Sequence, residues 1–343
     1  MTGTVLVAGA HGVVGGAVVK ALRDAGDRFV TVARRGPVEP DDDHVRVDLL
    51  DASATSAALK DRPDIDAVVF AAYVERPTMA ETVGPNTAML RHLLDAVPAP
   101  RHVVLIGGGK SYGEHLGHYK TPAKESDPRF LGPIFYNDQE DLLYEDAARR
   151  DYTWTVLRPD GVIGPSLGSP MNLLTGIAVY AGVCRRLGVP LRFPGSPGAW
   201  GALHQATDGR ILAAAVRWAL RTEAARGEVF NVTNGDHFRW MHLWPEIADF
   251  FGMDTAPPQP MALAEQMADK GPVWDAIVRE HELRPTTLAQ IASWPFVDGW
   301  LGSGADMVQS TIKIRQAGFG ACVDTHVSFL ENLATLRDLS LIP

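Results

Sequence analysis

Val5-Leu-Val-Ala-Gly9-Ala-His11-Gly12-Val13-Val14-Gly15 joins an unbroken apolar run to three glycines at equal spacing. Four consecutive apolar residues closed by a glycine read as a short strand buried on both faces. Val13, Val14, Ala17, Val18, Ala21 and Leu22 then recur at helical spacing, and Gly26 supplies a stop. Strand, glycine turn and helix in that order make a cradle for an anion, because glycines let backbone N–H groups approach a phosphate at the positive end of a helix. An ordinary βα turn can carry the same glycines. Its place directly after a strand and at the opening of a helix gives Gly9-x-x-Gly12-x-x-Gly15 weight as a dinucleotide fingerprint.

Outward from this unit, Phe29–Ala33, His44–Val47, Ala67–Ala72 and His102–Ile106 are further strand candidates separated by helix-length segments. Such alternation predicts an α/β fold, a Rossmann doubly wound parallel sheet with helices on both faces. The glycine spacing is that of short-chain dehydrogenases. An NAD site usually has an Asp or Glu about 20 residues past the glycines for the ribose hydroxyl. Here Arg34 and Arg35 end the second strand, and no carboxylate lies between Phe29 and Val38. The expected cofactor is therefore NADP(H), with both arginines at its 2′-phosphate. Asp48 and Leu49, at the end of strand three, are candidates for the adenine side; a helix-capping role is the alternative for Asp48.

After Arg158-Pro159 the pattern loosens into Gly- and Pro-rich segments, and most of the tryptophans fall from Trp200 onward. This predicts a smaller C-terminal substrate-capping domain over 166–343, following a cofactor domain over 1–165 to which segments such as 200–235 return. The substrate pocket should lie between the two. With 343 residues, 46% hydrophobic, the chain has material for about two domains. A net charge of -9 opposes nucleic acid or anionic lipid as a partner and favours a small molecule. The apolar stretch Leu173 to Cys184 is too short for a membrane helix and contains Gly176 and Gly182. Cys184 and Cys322 form no CxxC pair and read as buried small hydrophobes, which, with no signal-peptide pattern, fits the cytoplasm. No His/Cys cluster supports a metal. A homodimer is compatible with all of this.

Short-chain dehydrogenases generally place Tyr-x-x-x-Lys on one helix, so that the lysine lowers the phenol pKa and holds the ribose. This chain has no such motif. The helix expected from Phe135 to Arg150 carries Tyr136 with Glu140 in the lysine position, and strand five ends in glycines before Lys110, without the usual serine.

Several segments nevertheless agree with one family. Gly108-Gly-Lys110-x-Tyr112, Phe135-Tyr136-x-x-x-Glu140-Asp141, Met171-Asn172-Leu173, Leu191-Arg-Phe193, Phe230-Asn-Val-x-Asn-Gly-Asp-x-Phe-x-Trp240 and Pro272-Val-Trp274 follow one another in the chain. In order and wording they resemble the progesterone 5β-reductase and iridoid synthase (PRISE) enzymes, an atypical branch of the extended short-chain dehydrogenases. The resemblance covers essentially the whole chain. It implies NADPH-dependent 1,4-reduction of an enone, with Tyr136 bonding the developing enolate oxygen and Lys110 supporting the tyrosine and ribose. It further implies cofactor contacts at His11, Gly12 and Val13, at Ala72 and Tyr73, at Val162, and at Ser169-Pro170-Met171 near the nicotinamide. Ile134 and Asn137 depart from the family around Tyr136, and Tyr73 stands where a tryptophan is usual. Substrate preference is where those changes act.

Two rival readings use the same fold: a carbonyl reductase or sugar-nucleotide epimerase, and a non-catalytic NADP(H) sensor. The epimerase reading lacks its Tyr-x-x-x-Lys, and the sensor reading leaves Tyr136 and Lys110 without a purpose. Gly164-Pro-Ser166-Leu-Gly168 matches a hydrolase nucleophile elbow, but its Gly- and Pro-rich surroundings lack the strand and helix that the elbow needs.

Overall fold

A computed structural model describes residues 3–169 and 171–343. Strand β1 (Thr4–Ala8) is buried throughout and passes through the glycine turn into α1 (Val13–Asp24). There follow β2 (Phe29–Ala33), β3 (His44–Arg46), α2 (Ala52–Leu59), β4 (Ile65–Phe70), α3 (Met79–Ala96), β5 (His102–Ile106), α4 (Phe135–Arg150) and β6 (Thr153–Pro159). A seventh strand, Glu228–Val232, completes a sheet in the order Glu228–Val232, β6, β5, β4, β1, β2, β3, parallel at every pairing.

The apolar run of β1 is explained by its two faces. Leu6 and Ala8 join Val30, Leu90, Leu93 and Leu143 in one core. Val5 and Val7 join Val18, Val19, Leu212 and Val216 in the other. The second core is closed by the helix Gly209–Arg221, which packs along α1 and leads to the seventh strand. Order reverses at β1, between β2 and β4, so the loops leaving the carboxyl ends of β1 and β4 diverge and open a crevice.

A third core belongs to the C-terminal half. Trp240, Trp244 and Trp274 are fully buried there among the helices Leu173–Leu187, Trp240–Phe250, Gly271–Glu280, Trp294–Gly302 and Thr325–Asp338. The stretch from Leu173 to Cys184 is buried at every position as the middle of this layer, which accounts for its apolar composition. Among the described residues no helix is long and apolar enough to cross a membrane. One expectation fails: Cys184 is buried, but Cys322 is exposed. It lies in the extended link between the helices Ile312–Gln316 and Thr325–Asp338, against Gly235 at the surface, where no core reaches it.

Candidate active site

A cavity of about 540 Å³ opens over the carboxyl ends of the central strands and is walled by both halves of the chain. On its sheet side the glycine turn is sterically required. Gly9 sits at φ +84°, and a Cβ there would meet Ala71 O at 2.6 Å. A Cβ on Gly15 would fall 2.2 Å from Gly9 O. Gly15 therefore lies under the turn, outside the cavity lining, and serves close approach of helix to strand. Gly12 is the N-cap of α1 with no side-chain cap, which leaves the first backbone N–H groups for an anion. His11 Nε2 lies 2.7 Å from Gly36 O and ties this turn to the loop after β2; burial lowers its pKa, so the ring is held neutral.

Arg34 and Arg35 line the far end of the cavity, and neither guanidinium forms an ion pair among the described residues. Arg35 Nη2 donates only a long bond to Leu167 O, 3.4 Å. Asp48 and Leu49 line the same end, and Asp48 Oδ1 accepts from Leu50 N at 3.0 Å. The capping residue of α2 is Asp51. Ala72, Tyr73, Val162, Ser169 and Met171 also face the cavity, while Pro170 lies outside the described residues. An uncapped helix N-terminus, glycines where any Cβ would collide and unpaired cations at one end fit a dinucleotide and its phosphates.

The other side of the cavity holds the candidate catalytic groups. β5 is followed by Gly107-Gly108, and the short helical turn Gly109–Tyr112 carries Lys110. Tyr136 comes from the first turn of α4, whose N-cap, Ile134, supplies no side-chain bond. A Cβ on Gly108 would lie 2.8 Å from Tyr136 Cζ and 3.1 Å from Oη, so the phenol hangs over the end of strand five and glycine is needed beneath it. That overlap explains the missing serine. Among the described residues neither Tyr136 Oη nor Lys110 Nζ has a hydrogen-bond partner, and they do not bond each other. Lys110 Nζ sits 5.9 Å from the centre of the Phe296 ring.

The electrostatics differ from those of the helical pair. Burial pushes the Tyr136 phenol upward, and Tyr73 and Glu114 add to it, so it stays protonated at neutral pH as a donor. Burial pulls Lys110 down against the opposing pull of Glu114 and Glu75. Glu140, in the place of the usual lysine, accepts from Arg158 Nε at 2.8 Å and Nη2 at 2.6 Å in a fully buried ion pair. Arg158 in turn lies 5.0 Å above the Tyr112 ring, whose hydroxyl donates to Asn231 Oδ1 at 2.7 Å. Tyr112, Glu140 and Asn231 thus brace β5, α4 and the seventh strand together.

Among the cavity residues that escaped the sequence reading, four bear on the chemistry. Phe296 and Trp300 enter from the helix Trp294–Gly302, visible beforehand only as aromatic density. Glu114 and Asp160 are buried carboxyl groups whose Oε2 and Oδ2 atoms have no hydrogen-bond partner among the described residues. Ser166 lies in a loop, three residues past the two-residue strand Val162–Ile163, and accepts from Asn172 Nδ2 at 3.0 Å, so no strand runs straight into it and no helix follows directly.

A seven-stranded parallel sheet, a βα glycine turn and a tyrosine from the helix after β5 define an extended short-chain dehydrogenase/reductase with a nicotinamide-cofactor Rossmann fold. Solved structures share that fold. UDP-glucose 4-epimerase from Thermotoga maritima superposes with a TM-score of 0.69 at 16% identity, covering 98% of this chain and 99% of that one. A short-chain dehydrogenase/reductase superfamily protein from Agrobacterium tumefaciens with bound NAD gives 0.67 at 18% identity, covering 98% and 97%. Within this class the chain belongs to the PRISE family, whose PRISE-like Rossmann-fold domain matches residues 5–296. Its relatives include (S)-8-oxocitronellyl enol synthase of Camptotheca acuminata, 33% identical across 98% of this chain and 93% of the relative. Another is 3-oxo-Delta(4,5)-steroid 5-beta-reductase of Arabidopsis thaliana, 32% identical across 88% and 81%.

Proposed function

We propose that the protein reduces the C=C bond of activated enones by 1,4-addition, with NADPH as the cofactor. Membership of the PRISE family and relatives named for enol synthesis and steroid 5β-reduction support the reaction class. The unpaired Arg34 and Arg35 at the end of β2, with no carboxylate beside them, support the 2′-phosphate. Bound NADPH would supply a hydride to the β-carbon of the enone. Tyr136 donates a hydrogen bond to the carbonyl oxygen, a bond that strengthens as enolate charge develops and can contribute on the order of 3 kcal/mol. The N-terminus of α4 and the Lys110 ammonium favour the same negative charge. Tyr73, Phe135, Phe296 and Trp300 keep water from the reacting atoms. The C-terminal half, apart from 207–235, forms the substrate cover.

One observation carries this reading: the unpartnered Tyr136 hydroxyl over Gly108, in one cavity with Lys110 and the anion cradle. The test is NADPH consumption with cyclic enones, small acyclic enones and aldehydes, followed by product analysis. Saturated ketones are expected. Allylic alcohols would move the protein to carbonyl reduction, and tight NADP(H) binding without turnover would make it a sensor.

A further inference from the structure

Enone reduction needs a proton as well as a hydride, and the groups described so far do not provide one well. Tyr136 is held as a protonated donor, and burial raises the pKa of its phenol, which makes it a poor acid at pH 7. Beyond it the cavity wall contains Glu114 and Asp160, 6% and 4% exposed. Glu114 follows Lys110 by one turn of chain, and Asp160 directly follows β6.

Each carboxyl has one buried oxygen without a hydrogen-bond partner among the described residues. Asp160 Oδ1 accepts from Gly161 N at 2.7 Å, while Oδ2 is unpartnered. Glu114 Oε2 is also unpartnered, and it lies so close to the turn after β5 that a Cβ on Gly109 would fall 2.1 Å from it and 2.3 Å from Gln309 Nε2. Two buried carboxyls within electrostatic reach cannot both ionise cheaply. Burial raises Glu114 to about 7 against the pull of Lys110 and Gln309. Burial and the charge of Glu114 raise Asp160 well above the usual carboxylate range. Around the pair stand Lys110, Tyr136 and Tyr119; the last feels both carboxyls, and its hydroxyl accepts from Val308 N at 3.1 Å. An acid poised near the working pH, in the cavity that holds Tyr136, is matched to proton transfer.

We infer that Glu114 and Asp160 are a proton-holding carboxyl pair that protonates the α-carbon of the enolate, as catalytic residues additional to Tyr136 and Lys110. This rests on the enone reading above. After hydride has bonded to the β-carbon, the C=C electrons form the enolate at whose oxygen Tyr136 donates. The enolate C=C pair then takes a proton at the α-carbon, the carboxyl O–H bond breaks, the C=O re-forms and the pair is left with one more negative charge. A proton from solvent restores it. Protonation inside the cavity comes from one face, so the α-centre acquires a single configuration; protonation in bulk water does not.

The experiment reduces an α-methyl cyclic enone with NADPH in D₂O, with rapid quenching, and analyses deuterium and configuration at the α-carbon. For the wild type one α-configuration is expected, carrying deuterium. The isosteric double variant Glu114→Gln with Asp160→Asn is expected to give a mixture of α-configurations; the Asn Oδ1 can still accept from Gly161 N. Dinucleotide affinity, read by fluorescence titration, checks that the variant is folded. Glu114→Gln alone, which leaves the Asp160 turn untouched, is expected to give a smaller erosion in the same direction. A wild-type mixture, or a double variant that still yields one configuration, overturns the proposal. Absence of any saturated ketone from the wild type would instead overturn the enone reading.

Discussion

Glu140 and Arg158 form a buried bidentate ion pair, 2.8 and 2.6 Å long, at the helical position where related oxidoreductases keep a lysine. The pair links α4 to β6, and Arg129 Nη1 approaches the same carboxylate at 3.5 Å. Removing one partner of such a pair leaves a buried charge uncompensated, at a cost of about 3 kcal/mol. Glu140→Gln is therefore expected to lower the urea midpoint by that equivalent while single-turnover hydride transfer in the folded fraction changes little. An unchanged midpoint with a collapsed rate would assign Glu140 to the chemistry.

Cofactor choice follows from the unpaired arginines. The wild type is expected to favour NADPH strongly over NADH in kcat/KM, and Arg34→Ala with Arg35→Ala to lose most of that preference, because charge-assisted contacts to phosphate are strong. Equal values for the two cofactors, or a double variant with unaltered selectivity, would contradict this.

Gly108 tests the seat of the phenol. Gly108→Ala places a methyl group against Tyr136 Cζ, so the ring must move. A misplaced donor of this kind is expected to cost kcat roughly 10²-fold with little change in dinucleotide affinity, since the anion cradle lies elsewhere in the cavity. Wild-type kcat in Gly108→Ala would show that the position of Tyr136 is unimportant.

Ser166 is expected to be inert. Its hydroxyl serves a loop contact with Asn172, so Ser166→Ala should keep near-wild-type turnover. A covalent adduct at Ser166 from a fluorophosphonate probe, with loss of turnover, would restore the hydrolase reading.

The parts of this molecule that could be read in advance are local. β1, the glycine turn and α1 follow from a strand buried on both faces and a helix with one apolar stripe, and the predicted span of α4 is the observed one, Phe135–Arg150. The seventh strand was not specific in the sequence, because its identity comes from pairing Glu228–Val232 with β6, about 70 residues earlier in the chain. Tyr136 and Lys110 were legible only through family wording, since the overlap of Tyr136 with Gly108 depends on how α4 docks on β5. Glu114 and Asp160 belong to no sequence motif; burial, which no local pattern encodes, makes them unusual. Cys322 shows the converse, an apolar residue type left at the surface by the path of a connecting segment.

The central claim is that Tyr136 supplies the oxyanion donor and acts with Lys110. Among the described residues neither atom has a hydrogen-bond partner, and both residues line one cavity, so their cooperation runs through bound substrate and cofactor. Single-turnover hydride transfer from NADPH to a cyclic enone, measured for the wild type, Tyr136→Phe, Lys110→Met and the double variant, tests it directly. Tyr136→Phe is expected to slow transfer roughly 10²–10³-fold with NADPH affinity nearly unchanged, Lys110→Met comparably, and the double variant little more than either. A Tyr136→Phe rate close to wild type would contradict the account, and strictly multiplicative losses would show that the two residues act independently.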